Sequence, residues 1–174
     1  MRNSTARDFS GLSKPALVFE SLSASEVKRS LLPFYLRLDF DGRRRRFGGA
    51  VSDDSIIQHC DRLDLERSVV LSCSGEAGVL AAIELHPLAS DWEHAEMALA
   101  ENAEANRDTI VAHLLQLAAF AAGKRGCTAL VIQSCCSERD FIDLLRGMGR
   151  VQARDDLLWL ELGEYASLCS AYSS

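Results

Sequence analysis

Prolines number only 3 and glycines 11 in 174 residues, which excludes collagen-like and low-complexity chains. No run approaches the roughly 18 consecutive apolar residues of a membrane-spanning helix, so no membrane partner is expected. The first residues, Met1 to Gly11, lack the apolar core of a secretory leader and read as a flexible arm. The 6 cysteines (Cys60, Cys73, Cys127, Cys135, Cys136 and Cys169) show no Cys-x-x-Cys spacing. Several lie in apolar runs, where thiols pack as small core residues, so a cytoplasmic setting is expected. Basic residues are in the minority, 19 against 25 acidic ones, giving a net charge of -6. Such a chain is poorly suited to nucleic acid, whose binding rests on phosphate neutralisation. Arg43, Arg44, Arg45 and Arg46 are the one basic concentration. Four adjacent like charges predict a solvated face or loop, with an anion-binding patch as the alternative. Zinc motifs, a Gly-Lys-Thr phosphate loop and a Ser-His-Asp signal are all missing. His86 and His94 flank one turn near Glu93 and Glu96, but the spacing matches no metal-ligand pattern. Surface histidines and no metal are expected.

What remains is an ordinary globular composition, 48% hydrophobic and 25% charged. The length suits one domain, placed at residues 15–162 between an arm (1–14) and a small, polar tail (163–174). Ala16 to Glu20 reads as a strand. Ser25 opens a helical pattern through Val27, Leu31, Phe34, Tyr35 and Leu38, with Pro33 delaying or kinking it. The arginine run and Phe47-Gly48-Gly49 then read as a flexible connection. Ser52 is a helix N-cap, with Ile56, Ile57, Cys60 and Leu63 on one side. A hairpin follows, Arg67 to Cys73 with Val79 to Leu85, and then a strand from Glu93 to Ala100. Arg107 to Lys124 carries a wide apolar face closed by Gly126, and Cys127 to Gln133 returns as a strand. Strand, helix and strand make a β-α-β unit with two parallel strands. Ser137 caps a further helix ending at Gly147-Met148-Gly149. Two last strands turn at Asp155-Asp156, the final one exposed and available for pairing between subunits. A monomer or homodimer is expected.

This order, with Ala95-Glu96-Met97-Ala98, the helix from Arg107 to Gly126, and Leu144-Leu145-Arg146-Gly147-Met148-Gly149, resembles the GCN5-related N-acetyltransferase (GNAT) superfamily. Arg46-Phe47 ahead of Ser52 to Leu63 is similar to its bacterial protein-lysine acetyltransferase branch. The resemblance implies an α/β (α+β) fold with a mixed, mostly antiparallel sheet, one parallel pair and helices on both faces. It also implies acetyl-CoA as cosubstrate and an amine acceptor, either a small molecule or a protein lysine. Glu96 falls where relatives carry a general base, and partial burial suits a carboxylate to that role. Backbone groups near Met97, Ala98 and Leu99 are implied to polarise the thioester carbonyl. Pyrophosphate is implied at the start of the long helix, over Arg107, Asp108, Thr109, Ile110 and Val111.

The resemblance is uneven at that turn. Thr109 and Val111 replace small residues of the family's phosphate turn, and Asp108 can occupy the amides itself, whereas Arg107 can pair with phosphate. The tyrosine that protonates the leaving thiolate in relatives falls on Leu145, and a helix-start asparagine falls on Glu138. Two readings therefore stand side by side: an acetyl-CoA-dependent N-acetyltransferase, and a degenerate binding or regulatory module of the same fold without turnover.

Overall fold

A computed structural model describes residues 16–103, 105–133 and 138–163. The arm and almost all of the tail lie outside them, as do Cys135, Cys136, Ser137 and Cys169. Among the described residues, seven strands form one sheet: β1 (Val18–Ser21), β2 (Val69–Gly75), β3 (Gly78–Pro87), β4 (His94–Glu101), β5 (Ala129–Gln133), β6 (Val151–Arg154) and β7 (Leu157–Glu161). Their order is β1-β2-β3-β4-β5-β7-β6, antiparallel throughout except for the parallel pair β4–β5. The expected mixed sheet with one parallel pair is therefore present. The final strand is not an edge, however: β7 is inserted between β5 and β6, because the turn with positive φ at Asp155 and Asp156 folds β6 to the outside.

Alternation along β3 and β4 sends Ala81, Ile83, Leu85, Ala95, Met97 and Leu99 to one face. There they pack on α5 (Ala112–Gly123), whose Leu114, Leu115, Ala118 and Ala122 are fully buried, as its apolar pattern predicts. A π-wound turn, Arg107–Val111, leads into this helix. The opposite face carries Val70, Val79, Ala82 and Ala100 against the helices between β1 and β2. These are α1 (Ala24–Glu26), α2 (Leu32–Arg37), α3 (Phe40–Phe47) and α4 (Asp53–Arg62). Ser23 rather than Ser25 is the first cap, in a capping box with Glu26. Pro33 does not break the pattern, because a π-wound turn at Val27–Leu31 carries the chain into α2. In α4, Ser52 accepts from the Ser55 N–H as expected, but Ile57 points to solvent, and only Ile56 and Cys60 are buried.

The arginine run departs furthest from its expected form. It is helical, not a flexible connection: Asp39 accepts from the Gly42 N–H at one end of α3, and Gly48 closes the other at φ 74°. Only Arg44 faces solvent freely. Arg43 donates to the carbonyls of Leu36, Leu38 and Val51 and pairs with Asp53 at 2.7 Å. Arg46 is buried, its guanidinium against the rings of Tyr35 and Phe47.

The helix α6 (Arg139–Met148) buries Phe141 and Leu145. Its cap position is Glu138, whose side chain makes no capping bond.

Candidate functional site

The parallel ladder is short. It joins His94 to Ala129, Ala95 to Leu130 and Glu96 to Val131, and then stops. Met97 to Glu101 stay paired with β3, and among the described residues the pairing of β4 with β5 does not continue past Glu96, where the two parallel strands diverge. Glu96 stands at the fork, half-buried, with its carboxylate accepting from Gln133 at 3.4 Å. Its side chain lies on the face away from α5, beside His86 of β3, its cross-strand neighbour. Ala98 shares that face, whereas Met97 and Leu99 are turned into the α5 core.

α3 lies across the diverging end. Gly42 and Arg45 meet Leu99, Ala100, Glu101, Glu138 and Phe141 around a gap of only about 10 Å³, room for roughly one water. Arg45 and Glu138 approach to 3.9 Å and link α3 to the start of α6.

At the start of the long helix, Asn106 and not Asp108 is the capping residue. Its side-chain oxygen accepts from the Thr109 N–H at 3.1 Å, and its carbonyl accepts from Ile110 at 2.7 Å. Asp108 and Thr109 are exposed, and Ile110 and Val111 are core residues. The side chains at 110 and 111 therefore face away from any ligand at this terminus.

A polar cluster lies on the helical side of the sheet, where the sequence suggested only surface histidines and a solvated arginine. Glu84, at the centre of β3, is fully buried. One of its oxygens accepts from the Tyr35 hydroxyl at 2.5 Å; the other meets Arg46 at 2.6 Å and His86 Nε2 at 2.9 Å. His59 Nε2 lies 3.1 and 3.0 Å from the two. Burial alone would push the Glu84 carboxyl up, but Arg46 and the two histidines outweigh it and hold it well below the usual carboxylate range. Burial, reinforced by the charge on Glu84, keeps the Tyr35 phenol protonated far above its ordinary value. It also lifts the Cys60 thiol to about 11. His86 closes the chain of contacts through Nδ1, 2.9 Å from Ser68 Oγ.

His59, His86 and Ser68 open onto a depression of about 520 Å³, also lined by Gln58, Arg62 and Leu63. Spacing hid this cluster, since its members come from α2, α3, α4 and β3. One signal was available: in the β3 alternation Glu84 falls with Ala82, on a helix-covered face where a lone charge needs a partner. Among the described residues, no group of three or more His, Cys, Asp or Glu side chains is arranged to hold a metal.

This architecture is the GNAT fold, a sheet whose parallel pair diverges at its middle. No family model and no curated protein matches the chain. Solved structures do. The GNAT domain of PAT from S. lividans superposes with a TM-score of 0.62 at 17% identity, covering 82% of this chain and 88% of that one. A ribosomal-protein-alanine N-acetyltransferase from Brucella melitensis matches at 0.59 and 15%, covering 82% and 96%. A PaiA N-acetyltransferase from Thermoplasma acidophilum, solved with coenzyme A, matches at 0.56 and 14%, covering 84% and 99%.

Proposed function

We propose that this chain transfers an acetyl group from acetyl-CoA to a primary amine, with Glu96 as the base. The single observation that carries the reading is the end of the parallel ladder at Glu96 and Val131. Among the described residues that ladder does not continue past Glu96, and this opens the β5 side of Met97 to Leu99, whose backbone groups are the kind of donors that suit a thioester carbonyl. The neighbours of this fold are acetyltransferases by name, and one was solved with coenzyme A. In this scheme the amine nitrogen attacks the thioester carbonyl carbon, the carbon–sulfur bond breaks, and the amine proton passes to Glu96. Met97, Ala98 and Leu99 contribute through their backbone. Within Arg107 to Val111 the pyrophosphate falls to the amides at the start of the stretch, because Asn106 already accepts from the Thr109, Ile110 and Val111 N–H groups.

A second reading, a binding module of the same fold without turnover, is favoured by one observation: the gap that α3 and Phe141 leave beside Leu99 and Ala100 is only about 10 Å³. Thermal unfolding with and without acetyl-CoA separates the two. A ligand at 100 times its dissociation constant adds about 2.7 kcal/mol to stability. The acetyltransferase reading expects a melting shift with millimolar acetyl-CoA. It also expects thiol release with a panel of primary amines, lysine peptides and spermidine among them, and loss of that release in Glu96→Gln with the shift retained. Absence of any shift overturns it in favour of the module.

A further inference from the structure

Ser68, His86 and Glu84 stand in an unbroken hydrogen-bonded line. Ser68 Oγ is 2.9 Å from His86 Nδ1, and His86 Nε2 is 2.9 Å from Glu84 Oε2. The donor pattern follows from the buried end. An ionised carboxylate can only accept, so His86 Nε2 carries the proton toward Glu84. In the neutral ring Nδ1 is then bare, and it accepts from the Ser68 hydroxyl. That polarisation withdraws the serine proton from its oxygen, as a nucleophilic serine requires.

Glu84 is well suited to hold the ring. It has no solvent exposure, and Arg46 and Tyr35 clamp it from α3 and α2. His86 is about a third exposed, and with Ser68 it lines the depression of about 520 Å³. Gln58 and Arg62, which carry N–H donors, line the same space, with Leu63 as an apolar element.

We infer that this depression is an acyl-transfer site in its own right, in which Ser68 is the nucleophile, His86 its base and Glu84 a positioning residue, with short-chain acyl esters as substrates. Ser68 Oγ attacks the ester carbonyl carbon. The oxygen–carbon bond forms, the bond to the leaving alcohol breaks, and the Oγ proton travels through His86 Nδ1 to the departing oxygen. Water then attacks the acyl-serine, returning a proton to Oγ through the same nitrogen and releasing the carboxylic acid. Gln58 and Arg62 supply donors for the developing oxyanion. The inference is independent of acetyl transfer at Glu96, since no step uses coenzyme A.

The test uses the full chain without coenzyme A. Incubation with p-nitrophenyl acetate should give a burst of p-nitrophenol followed by turnover, and diisopropyl fluorophosphate should block both. Peptide mapping of the inhibited wild-type protein should find the label on Ser68, a readout that depends on no variant. The buried thiols do not compete, because desolvation raises the Cys60, Cys73 and Cys127 thiols above their ordinary range. Ser68→Ala should lose the burst, and His86→Ala should lower kcat by about 100-fold or more. Glu84→Gln should lower kcat about tenfold or more with KM within about twofold, a split that general loosening of the fold would not produce. Absence of label, label on any residue other than Ser68, or a wild-type rate in folded Ser68→Ala overturns the inference.

Discussion

Removing one member of a buried ion pair leaves the other charge without compensation, at a cost of about 3–5 kcal/mol. Arg46→Met should therefore destabilise the chain by about that amount, because it leaves the fully buried Glu84 without its guanidinium partner. Glu84→Gln combined with Arg46→Met should cost less than the sum of the two single changes, a coupling that urea unfolding of all four proteins measures. The pH dependence has a definite sign. The unfolded carboxyl titrates at about 4.3, and the folded one lies well below it. Between those values the unfolded state binds more protons, so the stabilisation owed to Glu84 is complete above the unfolded value and fades as acid approaches the folded one. The stability gap between wild type and Glu84→Gln should thus narrow as the pH falls below about 4. A gap that stays level down to pH 3 would show that Glu84 is not held ionised.

At the scale of elements, the strands, α4 and the long helix were legible because each carries its own period and stop. The Ser52 cap, the glycines bounding the hairpin and the apolar rows of Arg107 to Lys124 all state a local preference that the packing agrees with. α3 was misread because four adjacent arginines dominate its composition, although Asp39 and Gly48 are ordinary cap signals on either side. What gave Arg46 a buried partner was Glu84, a residue 38 positions away. The position of Glu96 was legible for a different reason, since Ala95-Glu96-Met97-Ala98 spans the end of the parallel ladder, while the start of the long helix was only half readable. The loss of small residues at 109 and 111 is visible in the sequence, yet the residue that takes the amide is Asn106, two positions ahead of the expected Asp108. Because α3 lies over the diverging strands, its stability should govern access to them. Asp39→Ala removes the cap from Gly42 and should cost about 1 kcal/mol. If α3 controls entry, this variant should melt lower alone yet show a larger acetyl-CoA shift than wild type. An equal shift would mean that α3 does not stand in the ligand's way.

At the scale of the whole molecule, one sheet separates two apolar cores, one toward α5 and one toward α1–α4. The sheet joins them mechanically, because consecutive residues of β3 and β4 face opposite sides. Ile83 belongs to the first core and Ile56 to the second, and both are fully buried. Trimming one methylene from each, Ile83→Val and Ile56→Val, should cost about 0.5–1.5 kcal/mol apiece. Since the two side chains share no cluster, the double variant should lose the sum of the singles to within about 0.5 kcal/mol. It should still unfold in a single transition, because neither core can keep its face of the sheet once the other is lost. Urea unfolding followed by both fluorescence and circular dichroism reads the two expectations together. Coincident curves with additive losses fit two cores on one cooperative sheet. Separated curves would mean that the helical layer bearing the Glu84 cluster melts before the β-α-β unit, and that its sites can be lost while the fork at Glu96 survives.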